Sequence, residues 1–190
     1  LWYSIHQDSR YLPGSSKEKF IITIHDLNFI KEKSGQKAKT RQKRLNKRLK
    51  RASKIFTISD FTKNELVQYA EIPEGIEIKT IYNGIEITQI PDARKPDFVP
   101  EGDILFNIGV LIPKKNQKVL IDFMQILPPN FKLILAGDKS SIYANEILKD
   151  IELKGLKDRI ILPGTITDED RFWLYKHSYA FVFPSLFEGM

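Results

Sequence analysis

From residue 104 onward, short apolar runs alternate with segments whose apolar residues recur every three or four positions. The run 104–108 predicts a buried strand ending at Gly109, and 131–136 a second one closed by Gly137-Asp138. A third, 159–162, stops at Pro163-Gly164, and a fourth, 180–183, at Pro184. Between them, Asn116 can cap a helix carrying Val119, Leu120, Phe123, Met124 and Leu127, which Pro128-Pro129 ends. Further helices are expected over 144–154, up to Gly155, and after Thr167, with Phe172, Trp173 and Tyr175. Strands alternating with helices of this length imply right-handed crossovers and a parallel sheet covered on both faces.

The first half repeats the pattern less completely. Strands are expected over 20–24, 55–58 and 78–81, with a helix capped by Ser59 after the second. The fold class predicted is α/β, with two doubly wound parallel-sheet domains, both partial. Residues 1–87 form the first, 102–190 the second, and the Pro-rich stretch 88–101 reads as a linker.

Composition narrows the picture. A chain of 190 residues with 42% hydrophobic and 28% charged content is globular rather than disordered. No apolar run approaches the roughly 18 residues that span a bilayer. Without cysteine there are no disulfides and no thiolate zinc sites, which fits a reducing, cytoplasmic setting. The first residue is Leu1, so a signal peptide is neither seen nor excluded. Charge is uneven: residues 1–97 carry a net +7, and 98–190 a net −1. The excess lies between Lys31 and Lys54, where twelve basic residues face one acid, Glu32, and Leu45, Leu49, Ala52 and Phe56 recur at helical spacing. This segment reads as a solvated helix, as a basic helix lying on an anionic membrane through Arg44, Arg48 and Arg51, or as a nucleic-acid contact. No aromatic interleaving supports the last, and no nucleic acid is expected.

Several short motifs fall in a recognisable order. Thr23-Ile-His-Asp26, Thr57-Ile-Ser-Asp60, Ile81-Tyr-Asn-Gly84, Ile108-Gly109 with Lys115-Asn116, Leu135-Ala-Gly137, Leu162-Pro-Gly164 and Phe183-Pro-Ser-Leu-Phe-Glu-Gly189 follow one another. From about Phe20 to Met190 the chain resembles retaining glycosyltransferase family 4, of the GT-B fold. The resemblance implies two Rossmann-like domains, the first binding acceptor and the second a nucleotide-sugar donor. It further implies that the front of the first domain and the back of the second are missing, leaving a central fragment inactive alone.

It also implies roles. Glu188, with Ser185 and Gly189 beside it, would hold the donor sugar, since carboxylates accept hydrogen bonds from vicinal hydroxyls. Ser185-Leu-Phe-Glu188 is equally a capping-box pattern that could simply start a helix. Lys115 would neutralise the donor diphosphate, a task suited to a compact ammonium, or be an ordinary solvated lysine. The arginine that family members carry directly after the strand-ending glycine is Val110 here. His25 would line the acceptor side or be a turn histidine. Gly109 and Gly164 would let backbone approach the donor, with Gly164 to Ile166 along the base. The acids of Thr167-Asp-Glu-Asp170 are expected to serve a helix start, not a metal. No cofactor or metal is expected.

The implied reaction is hexose transfer from a GDP- or UDP-sugar to a saccharide or lipid-linked saccharide, at the cytoplasm or the inner face of the plasma membrane. The alternatives are a GT-B epimerase, a non-catalytic nucleotide-sugar binder, and a basic scaffold.

Overall fold

The computed structural model describes residues 1–15, 17–32, 35–84 and 92–189. The chain divides into two compact units, Leu1–Glu86 with Glu188–Met190, and Ile87–Phe187.

The first unit is built on a four-stranded parallel sheet in the order β1 (Trp2–Ser4), β2 (Phe20–Ile24), β3 (Lys54–Thr57), β4 (Glu77–Thr80). Alternation in β2 sends Phe20, Ile22 and Ile24 to one face, where they pack with Ile55, Leu45, Leu49 and Leu66. Helices α1 (Phe29–Glu32), α2 (Gly35–Leu49) and α3 (Asp60–Tyr69) supply that packing. The opposite face carries Tyr3, Ile21 and Phe56 and is only partly covered. Ser59 caps α3 as its sequence predicts, accepting from the Thr62 N–H. β1 is too short for its pattern to register as a strand, and Phe56 lies in β3 rather than on the expected helical stripe of Leu45 and Leu49.

The second unit has a sheet ordered β7 (Ile160–Gly164), β6 (Phe131–Ala136), β5 (Asp103–Ile108), β8 (Ala180–Phe181), all parallel. Helices α4 (Lys118–Ile126) and α5 (Ile142–Leu153) cover one face, burying Ile121, Met124, Ala144 and Ile147 against Leu105, Leu133 and Leu135. Helix α6 (Asp168–His177) covers the other through Leu174, against Phe106 and Ile134. Both faces are therefore buried, as expected of parallel strands that are apolar throughout. Of the stretch 88–101, residues 88–91 lie outside the described residues. Farther along, Phe98 and Val99 pack into the α6-side core.

The strand order positions the chemistry. The chain winds outward from β5 to β6 and β7, then returns to place β8 on the other side of β5. The chain leaves β5 through α4 on one face and enters β8 through α6 on the other, so the order reverses between these two strands, and open α/β sheets bind ligands beyond the carboxyl ends at such a point.

Candidate functional site

The crevice of the second unit is formed by two loops, 109–117 after β5 and 182–187 after β8. Asn107, at the end of β5, is 2% exposed and donates from Nδ2 to the Val182 carbonyl at 2.7 Å. The Leu186 N–H donates to the Lys114 carbonyl at 2.9 Å, and Asn116 Nδ2 to the Pro184 carbonyl at 3.3 Å. Two hydrogen bonds thus tie one loop to the other, and a third ties the second loop to β5. Asn116 does not cap α4. It ends a 3-10 turn, Pro113–Lys115, in the left-handed conformation at φ 54°, which frees its side chain to reach across. Asparagine adopts that conformation more readily than most residues.

Lys115 is half-buried in this crevice, with Nζ 4.8 Å from the centre of the Phe183 ring. Lys114 Nζ lies 5.7 Å from the Phe187 ring. Aromatic faces attract ammonium groups, so the two rings help to place the lysines. Val110 is 57% exposed, and its carbonyl accepts from Gln117 Nε2 at 3.1 Å. Gln117, 1% exposed, thereby fixes the loop where family members carry an arginine. Nothing in its sequence context marks it, since a lone glutamine reads as surface. Three buried polar atoms around the crevice, Asn107 Oδ1, Gln117 Oε1 and Ser185 Oγ, have no hydrogen-bond partner among the described residues. Each such group costs about 1–3 kcal/mol unless something bonds to it.

Gly109 follows β5 and Gly137 follows β6, in contact: a Cβ on Gly137 would overlap the Gly109 carbonyl. Gly164 is buried at the end of β7, accepting from the Gly137 N–H at 2.9 Å. Ile166 is half-buried and packs against the α6-side core. Ser185 starts no helix in the described residues, where the segment up to Gly189 is irregular. Asp168 and Asp170 stand in the first turn of α6. Thr167 Oγ1 accepts from the Asp170 N–H, and Asp170 Oδ2 from the Thr167 N–H, both at 3.1 Å. That reciprocal cap explains the paired acids without a cation. Among the described residues no three His, Cys, Asp or Glu side chains are grouped to hold a metal.

In the first unit, His25 follows β2. Its Nε2 pairs with the Ile5 carbonyl at 2.8 Å, and its ring stacks on His6 at 4.9 Å. Gln7, another residue the sequence does not advertise, brackets it. Gln7 Oε1 accepts from the His25 N–H at 2.8 Å, and Nε2 donates to the Asp26 carbonyl at 3.0 Å. Tyr3, Thr23, His25, Phe56 and Tyr82 line a pocket of about 280 Å³ on the open face of the sheet, at its carboxyl edge. Glu188 is half-buried, and Gly189, grouped with this unit, accepts at its carbonyl from the Ser59 and Thr62 hydroxyls.

Of the three arginines expected to contact an anionic surface, two are engaged within the first unit. Arg48 is 7% exposed and donates to the carbonyls of Gln7 and Ser9. Burial lowers its pKa, with Asp8 opposing the shift. Arg51 donates to the Pro13 carbonyl at 2.8 Å, and only Arg44 of the three is exposed. Among the described residues no helix is long and apolar enough to cross a membrane.

Comparison with known proteins agrees with this architecture. A family model described as "Glycosyl transferases group 1" matches residues 89–190, and one described as "Glycosyltransferase Family 4" matches 5–89. O-antigen chain mannosyltransferase B of Escherichia coli is 28% identical, over 98% of this chain and 52% of its own length. The serotype-specific mannosyltransferase WbdA of Escherichia coli is 30% identical, over 73% of this chain and 18% of its own. The chain thus spans about half the length of the first of these relatives, and less of the second. HepE of Anabaena, solved in complex with UDP, superposes with a TM-score of 0.72 at 22% identity, over 89% of this chain and 47% of that one. At that identity the likeness shows the fold, two parallel-sheet α/β domains of the GT-B type. With the larger part of its length matched by the first model and most of the rest by the second, the chain belongs to the group 1 glycosyl transferases.

Proposed function

We propose that the chain is the central part of a retaining, metal-independent glycosyltransferase. It moves a hexose from a GDP- or UDP-sugar to a saccharide or lipid-linked saccharide on the cytoplasmic side of the cell. The observation that carries this reading is Lys115, held over Phe183 in the crevice where the order of strands reverses. Relatives named mannosyltransferases support a hexose, and the UDP held by HepE supports a nucleotide donor.

In the reaction, the bond between the anomeric carbon and the diphosphate oxygen breaks, and its electron pair leaves with the diphosphate. An acceptor hydroxyl oxygen bonds to the same carbon on the face the diphosphate leaves, and its proton passes to the departing diphosphate oxygen. Charge builds on the leaving group, so a positioned cation stabilises the transition state more than the ground state. Lys115 takes this role, with Lys114 beside it and the backbone N–H groups near Gly109. The exposed Val110 offers no help, which leaves more of the task to the lysines. Glu188, with Ser185 and the Gly189 backbone, orients the sugar, the half-buried hydroxyl of Ser185 having a bond to offer. Gly164 and Ile166 stand nearest the base. His25 and the pocket at the carboxyl edge of the first sheet face the acceptor.

The test uses the intact protein with a panel of GDP- and UDP-sugars, with and without acceptor. Transfer with retention at the anomeric carbon is expected, and epimerised donor without acceptor would identify the alternative chemistry. Lys115→Ala should lower kcat by about 10²–10³-fold, the usual loss for a charge-stabilising group, and Lys115→Arg should restore part of it. No binding or turnover of any donor by the intact protein would overturn the reading.

A further inference from the structure

The second unit carries another cation at the carboxyl edge of its sheet, one that the proposed reaction leaves unused. Lys139 stands just past the end of β6, and its ammonium donates to the Leu162 carbonyl of the neighbouring β7 at 3.2 Å. Strand β7 is irregular there. Ile134 pairs with Ile161 but Ala136 with Gly164, so three steps along β7 match two along β6. Bulges of this kind re-aim side chains and are frequent beside active sites. Gly164 ends the irregular stretch at φ 92°, a conformation that favours glycine, and a Cβ there would stand 3.3 Å from Lys139 Cε. The bare backbone thus leaves room for the lysine stem against the end of β7.

This cation is not spent on a carboxylate. Asp138, its neighbour in the chain, accepts from the Ser140 N–H on Oδ1 at 2.9 Å and from the Ser140 hydroxyl on Oδ2 at 2.7 Å. Among the described residues Lys139 has no ion-pair partner, and its side chain is exposed. One backbone carbonyl uses one ammonium hydrogen and leaves the others to donate.

We propose that Lys139 is a specificity-determining residue that donates to a carbonyl oxygen on the base of the nucleotide. This rests on Gly164 and Ile166 standing nearest the base, as proposed above. An ammonium donates and cannot accept, so it suits uracil O4 or guanine O6. Cytosine and adenine present an amino group at the corresponding position, itself a donor. The two lysines then divide the ligand: Lys115 meets the diphosphate common to every such nucleotide, and Lys139 tells one base from another.

Calorimetric titration of the intact protein with UDP, CDP, GDP and ADP tests it. The parent protein should prefer a carbonyl base to its amino counterpart, UDP over CDP or GDP over ADP. Lys139→Met keeps most of the stem and removes the charge. It should bind the preferred nucleotide about 10- to 100-fold more weakly, the worth of a hydrogen bond to a charged group, and leave the amino counterpart unchanged. Lys139→Arg should keep most of the preference, and Lys115→Ala should weaken all four nucleotides together. Circular dichroism should match the parent protein in each variant. Undiminished preference in Lys139→Met overturns the proposal, as does a parent protein that binds nucleotides without preference. Equal weakening of all four by Lys139→Met overturns it too, and would assign this lysine to the phosphates. A parent protein that binds none of the four overturns the glycosyltransferase reading and this inference with it.

Discussion

At the residue scale, the most informative side chains are polar groups hydrogen-bonded to distant parts of the chain. Asp60, first residue of α3, accepts from the Thr80 hydroxyl at 2.6 Å and from the Tyr82 hydroxyl at 2.8 Å. Those bonds, Thr80's first, lower the Asp60 pKa, and the carboxylate in turn raises that of Tyr82. A carboxylate depressed by folding adds stability that is complete above the unfolded carboxylate pKa and is lost as pH falls through the folded value. Asp60→Asn should therefore unfold at lower urea than the parent protein near neutrality, and the gap should close on acidification through the carboxylate range. A gap that stayed constant with pH would contradict the assignment. Single residues were the least legible part of the sequence. Lys115 and Val110 stand out only within an ordered series of motifs, and Gln7 and Gln117 not at all, because a glutamine buried by its amide bonds looks like any surface glutamine. Arg48 misled for the same reason: charge predicts solvent, yet a guanidinium with carbonyl partners can be buried.

At the scale of elements, legibility is high where capping is strong. In helix α6, Thr167 and Asp170 form a reciprocal cap, and Leu174 is fully buried. Thr167→Ala should cost about 1 kcal/mol, lowering Tm by roughly 2–4 °C for a chain of this size. Thermal unfolding monitored by circular dichroism would measure it, and an unchanged Tm would deny the cap its role. Boundaries were read less well. Strand β8 ends at Phe181, although the apolar run continues to Phe183, because the Phe183 ring lies beside Lys115 rather than in the sheet. Asn116 was a plausible helix cap by type, and only its left-handed backbone shows that its side chain is used elsewhere. The three-residue β1 is too short for alternation to be detected.

At the scale of the whole molecule, alternating strands and helices were enough to indicate two parallel-sheet units, since few other arrangements bury such strands. The order β7-β6-β5-β8 was not readable from periodicity, which reports faces rather than neighbours. If the intact protein binds its donor as proposed, a nucleotide-sugar at a hundred times its Kd should stabilise it by about 2.7 kcal/mol, visible as a raised Tm. EDTA should leave both that shift and turnover unchanged. A shift that required a divalent cation would refute metal independence.

The cross-links from Asn107, Lys114 and Asn116 to the segment 182–186 have a practical consequence. They make the loops 109–117 and 182–187 one mechanical piece, so neither can be reshaped without tilting the other. Engineering a new donor preference into this scaffold would call for matched changes on both loops. Libraries confined to the residues after Pro184 would mostly return variants whose lysine has drifted out of aim.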